Sequence, residues 1–156
     1  MKFGTIVLSI AVALISSRPL SSCECVGRGA TGAEAKRAYD AVFLGQVTDI
    51  RLISLNKPVR ENEYHYDDEV EVAFSVRRAW KGVDQPVVHV ITPLQATACG
   101  DMFRVGYYYF VYAQSRVAGG PLEVNRCTPT KELHESPWEA DALGKPSFST
   151  EGPQSR

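Results

Sequence analysis

The chain has 156 residues, a length that fits one domain. Hydrophobic residues make up 44% and charged residues 22%, ordinary values for a folded domain that exclude a largely disordered chain. Lys and Arg number 17 against 18 Asp and Glu, a formal charge of −1, which excludes a nucleic-acid binder working by bulk positive charge.

The first residues read as a targeting segment. Lys2 precedes an apolar run from Phe3 to Ile15, and a polar, helix-breaking stretch from Ser16 to Ser22 follows. The run is too short for a good membrane span, so the pattern predicts a signal peptide over residues 1–22, cut before Cys23. Removing 22 of the 156 residues leaves 134; Lys2 and Arg18 go and no acid does, so the charge moves from −1 to −3. Leu20-Ser21-Ser22-Cys23 also resembles the lipobox of bacterial lipoproteins. In that reading Cys23 carries a lipid, the protein is a periplasmic or cell-envelope lipoprotein, and three cysteines remain. The soluble secreted form leaves all four thiols for pairing and is the preferred expectation.

Ala30 to Tyr39 holds helix formers, with Thr31 as N-cap and Glu34 three residues on, and predicts a helix of about two turns. Ala41 to Ile50 is rich in β-branched and aromatic residues and predicts a strand, with a bulge or bend at Gly45. Asn56 to Asp68 is polar and reads as a long exposed hairpin connection. Glu69 to Ala79 alternates, with Val70, Val72, Phe74 and Val76 on one face, and Trp80-Lys81-Gly82 ends it. Val87 to Thr92 is a third predicted strand, stopped by Pro93, and Tyr107 to Ala113 a fourth. Gly119-Gly120-Pro121 predicts a turn and Leu122 to Cys127 a fifth strand. Ser136-Pro137-Trp138-Glu139 reads as a capping box opening a short helix that stops at Gly144. Residues 145–156, rich in Ser, Pro and Gly, read as a flexible tail after a domain over 23–144. Five antiparallel strands flanked by short helices predict an all-β fold, a five-stranded Greek-key OB-like barrel, with an immunoglobulin-like sandwich as the alternative.

No nucleophile elbow, phosphate loop or dinucleotide fingerprint is present, so no enzyme and no cofactor of its own are expected. His65, His89 and His134 sit in no metal-ligand spacing. Asp67, Asp68, Glu69 and Glu71 form an acidic cluster that reads as a solvated hairpin edge. The remaining constellation is Cys23-Glu24-Cys25, with Cys99 and Cys127 downstream. A CxC pair can be a soft metal site or a redox pair, but an exported chain tends to oxidise its thiols into bridges. Cys23 and Cys25 bridge each other only with strain, so each pairs more easily with a distant cysteine.

Four pieces in order carry a family resemblance: the CxC start after a signal peptide; the Ala41-Val42-Phe43-Leu44-Gly45-Gln46-Val47 strand after a short helix; Thr92-Pro93 followed by Cys99-Gly100; and Cys127 after the last strand, followed by a helix. Ala79-Trp80-Lys81-Gly82 fits as well. Over roughly Cys23 to Trp138 the chain resembles the N-terminal, netrin-like inhibitory domain of the tissue inhibitors of metalloproteinases, in a short, bacterial-type, single-domain form.

The resemblance implies the OB-like barrel and the bridges Cys23–Cys99 and Cys25–Cys127. Closing a loop of about 77 residues by Cys23 and Cys99 would contribute roughly 4.5 kcal/mol in the chain-entropy treatment. It further implies a secreted inhibitor of zinc metalloendopeptidases, whose partner is the protease and whose metal is the protease's own zinc. The α-amino nitrogen and carbonyl oxygen of Cys23 would chelate that zinc and displace its water. Glu24 would point into the specificity pocket beside the zinc, Cys25 would hold the segment, and Thr97 and Ala98 would flank Cys23. The other expectation is a non-inhibitory OB-like or netrin-like binding module, membrane-attached only where Cys23 is lipidated.

Overall fold

The computed structural model describes residues 25, 32–53, 68–94 and 99–151. The expected signal segment, and the 56–67 part of the expected connection, lie outside these residues.

The chain is mostly β-sheet with short helices. Helix α1 (Gly32–Ala38) leads into β1 (Ala41–Ile53), followed by β2 (Glu69–Lys81), β3 (Val87–Pro93), β4 (Tyr108–Ser115) and the two-residue β5 (Leu122–Glu123). Strand β6 (Lys131–Glu132), a 3-10 turn (Leu133–Glu135), α2 (Glu139–Leu143) and β7 (Phe148–Ser149) complete it. The hydrogen-bonded order is β1-β2-β3-β5-β4, and β4 pairs back onto β1, so five strands close one ring. A single ring replaces the two facing sheets of the sandwich alternative.

Alternation builds two cores from the same strands. Phe43 and Val47 of β1, Val70, Val72, Phe74 and Val76 of β2, Val90 of β3 and Val111 of β4 pack in one cluster. Phe43, Phe74, Phe103 and Tyr109 meet edge to face in a chain, with centroids 5.4, 5.3 and 5.0 Å apart. The alternate residues Val42, Leu44, Trp80, Phe110 and Tyr112 pack with Ala35, Tyr39 and Leu143, so the short helices cover the opposite face. β1 slips register between Leu44 and Gly45, where a side chain at Gly45 would crowd Phe74 and Ser75 at 3.2 Å.

Several expectations are corrected. The strands are not all antiparallel: β5 runs parallel to β3, pairing Val90 with Leu122 and Ile91 with Glu123. The fifth strand stops at Glu123 rather than Cys127, because Asn125 turns the chain: its Oδ1 accepts from the Cys127 N–H and its carbonyl from the Thr128 N–H, both at 2.9 Å. Asp68 is 3% exposed rather than part of an open loop, and its carbonyl accepts from the Leu94 N–H at 2.9 Å.

Glu139 does not close a capping box. Ser136 caps nothing with its side chain; α2 begins at Glu139 after Trp138, without a side-chain cap, and the Glu139 carboxylate is buried. Gly144 ends α2 as expected, at φ 73°. The tail is not loose up to Glu151. β7 pairs with β2 at Arg78 and Ala79, and Thr150 Oγ1 donates to the Val76 carbonyl at 2.8 Å.

Candidate functional site

Because β3 and β5 run parallel, both leave the sheet at the same end, and the segments that continue them meet there. Thr92, near the end of β3, is fully buried and its Oγ1 accepts from the Asp101 N–H at 3.1 Å. Gly100 lies so close to the carbonyls of Pro93 and Leu94 that a Cβ there would stand 2.6 and 2.5 Å from their oxygens. This contact gives the Thr92-Pro93…Cys99-Gly100 spacing its physical meaning: only glycine fits where the chain folds back onto the end of β3.

Cys99 is disulfide-bonded, and its carbonyl accepts from the Arg126 N–H at 3.1 Å. The next residue, Cys127, is bridged to Cys25, with Cα atoms 5.2 Å apart. One backbone hydrogen bond thus ties together two disulfide-bonded segments at one end of the ring. Cys25 is exposed there. Cys25–Cys127 is the bridge the resemblance implied. Cys23, Glu24, Thr97 and Ala98 lie outside the described residues, so the structure brings together only Cys25, Cys99 and Cys127 of the expected site.

Asp101 belongs to this end and was not singled out by sequence. Burial pushes its carboxyl up to about 6, against a hydrogen bond from the Met102 N–H and the positive charge of Arg126. The readable signal is slight: an acid placed directly after the Cys99-Gly100 pair. Met102 and Val105, which follow, leave their apolar side chains exposed.

The second residue that sequence reasoning misassigned is Glu139. Its carboxylate accepts from the Gly32 N–H at 3.1 Å, from Lys131 Nζ at 2.9 Å and from the Tyr112 hydroxyl. Burial opposes its charge, but these donors outweigh it and hold the carboxyl below the usual range. The Tyr112 hydroxyl is raised, first by burial and then by the adjacent carboxylate. No spacing rule could find this site, since Gly32 and Glu139 are 107 residues apart.

The acidic cluster is not a bare solvated edge. Glu71 pairs with Arg51 at 2.7 Å and with His89 at 3.1 Å, and Glu69 lies 3.9 Å from Arg116. Asp67 and His65 lie outside the described residues. His134 pairs with Glu132 at 2.7 Å. Among the described residues no group of three His, Cys, Asp or Glu side chains is placed to hold a metal ion, and no helix is long and apolar enough to cross a membrane.

No protein-family model matches the chain, and comparison with curated proteins finds no significant match.

Proposed function

We propose that the chain is a secreted protein inhibitor of zinc metalloendopeptidases, built on a five-stranded Greek-key OB-like barrel, similar to the inhibitory domain of the tissue inhibitors of metalloproteinases. The observation that carries this reading is the convergence of Cys25–Cys127 and disulfide-bonded Cys99 on one end of the ring, beside the Gly100 fold-back. The strand order β1-β2-β3-β5-β4-β1, with β3 and β5 parallel, supports the barrel.

In this reading Cys23 becomes the first residue after export. Its α-amino group, with an ordinary pKa of about 7.7–8.0, would release its proton to water as the metal competes for the nitrogen lone pair, and would bind the target's zinc together with the Cys23 carbonyl oxygen. The bridges hold the segment in place before docking, so little conformational freedom is lost on binding. The inhibitor is not itself an enzyme and carries no cofactor; the zinc is the protease's. Glu24 selects among targets: its carboxylate is penalised in an apolar pocket and favoured where the pocket presents a cation or donor.

The test is inhibition of a panel of zinc endopeptidases by the exported protein, with and without one extra alanine before Cys23. Inhibition abolished by the extension supports chelation. Equal inhibition by both forms overturns it, and a lipid increment in the intact mass favours the envelope binding module instead.

A further inference from the structure

Away from the disulfide-bonded end, a groove of about 350 Å³ opens between the outer face of the ring and the helical segment after β6. Its apolar lining is Leu44, Phe110, Leu133, Pro137 and Ala140, and Arg77, Arg78 and Glu151 stand at it. The charges do not cancel. Arg78 Nε binds Glu151 at 2.6 Å, which matches that acid with one arginine. Arg77 makes no ion pair with any described residue; the Glu151 charge reaches it only at a distance, so two arginines face one acid at the groove.

The Arg77 guanidinium is nonetheless positioned. It lies 5.5 Å over the ring of Tyr108, another lining residue, and donates to the Tyr108 hydroxyl at 3.0 Å. A guanidinium has five N–H donors, so most of its capacity remains for a ligand. A neighbouring depression of similar size, around Tyr107 and His134, differs in this respect: its Glu132 is paired with one full cation, Arg104, at 2.5 Å. Its charges are matched, and it offers no comparable attraction for an ion.

An apolar lining beside an oriented, uncompensated cation is complementary to a molecule with one anionic head and an apolar body. We propose that this groove binds a small amphiphilic carboxylate, its head on Arg77 and its body along Leu133, Pro137 and Ala140, over the floor formed by buried Leu44 and Phe110. The site shares no residue with the Cys25, Cys99 and Cys127 cluster and stands whether or not the protein inhibits a protease.

Decanoate and decanol, titrated into the ¹⁵N-labelled exported protein, provide the test. Decanoate is expected to bind saturably, shifting the amide signals of Leu133 and Ala140, and to bind about tenfold more tightly than decanol, the scale of one charge-assisted hydrogen bond. Arg77→Gln, an exposed substitution, is expected to remove that advantage and leave decanol unchanged. Equal affinity for the two ligands, decanoate binding unaffected by Arg77→Gln, or shifts confined to other surfaces would each overturn the proposal.

Discussion

The end of the ring near Cys127 and the outer face beneath α2 are held by different means. At the first, residues 99–102 and 125–127 bring few buried apolar side chains; disulfides and single backbone hydrogen bonds fix them. At the second, Tyr39, Val42, Trp80, Phe110, Tyr112 and Leu143 pack into a core, Trp80 Nε1 donates to the Gly144 carbonyl at 2.6 Å, and Glu139 joins α1, α2 and β4. A segment with an apolar face can be fixed by burying it. A segment that must stay exposed gains nothing that way, and cross-links fix it without covering its surface. The first arrangement suits a rigid docking surface, the second a support.

The largest effect is expected from removing the cross-link. Cys25→Ser with Cys127→Ser opens a bridge between residues 102 apart in sequence. The stability lost in urea unfolding is expected to be about 4–5 kcal/mol, the chain-entropy scale for so long a loop. A loss below about 1 kcal/mol, smaller than a disulfide typically contributes, would show that packing alone already fixes this end.

Glu139→Ala probes the other region. It leaves the Gly32 N–H and the Tyr112 hydroxyl without their acceptor and Lys131 without its counter-charge, and is expected to cost about 3 kcal/mol in the same measurement. Because the Glu139 carboxyl is held below the usual range, the stability it contributes is present above the ordinary carboxylate value of about 4.3 and is lost as pH falls through its folded value. An Ala variant within about 0.5 kcal/mol of the parent, the range of ordinary surface substitutions, would remove the carboxylate from its place as the joint of this face.

What was legible in the sequence follows the range of the interactions. Strand β2 shows in the alternation of Val70 to Val76, and β1, β3 and β4 show in their β-branched and aromatic runs, because each of these signals lies within the strand itself. The Gly45 irregularity was readable for the same reason. Glu139 was misread because Ser-Pro-Trp-Glu satisfies a local capping rule, while the partners that decide its position come from α1, β4 and β6. Strand β5 was read too long because Asn125 turns the chain inside an otherwise plausible strand. The tail looked loose by composition, yet Ser147 and Thr150 find carbonyls on β2, which no composition rule can anticipate. At the candidate site the Cys25–Cys127 bridge was an expectation of the family resemblance rather than of spacing, whereas Asp101 became visible only once the fold-back had buried it.

Asp101 and Glu139 set the two regions against each other most directly. Both are carboxylates drawn out of water, but Glu139 has three donors on it, whereas Asp101 has the Met102 N–H and the field of Arg126. Burial therefore wins at Asp101 and its carboxyl rises to about 6, against about 3.9 in an unfolded chain. Between those values the folded protein holds a proton that the unfolded chain has released, so stability falls as pH rises from about 4 to about 6. Asp101→Asn keeps an oxygen for the Met102 N–H and removes the ionisation, so the fall contributed by this group is expected to vanish, while the contribution of Glu139, which both proteins share, cancels from the difference. Urea midpoints at pH 4, 5 and 6 for the two proteins measure the difference. An unchanged slope in Asp101→Asn would mean that water reaches this carboxyl, and that the end held by disulfides is more open than the fold-back over Pro93 and Leu94 makes it.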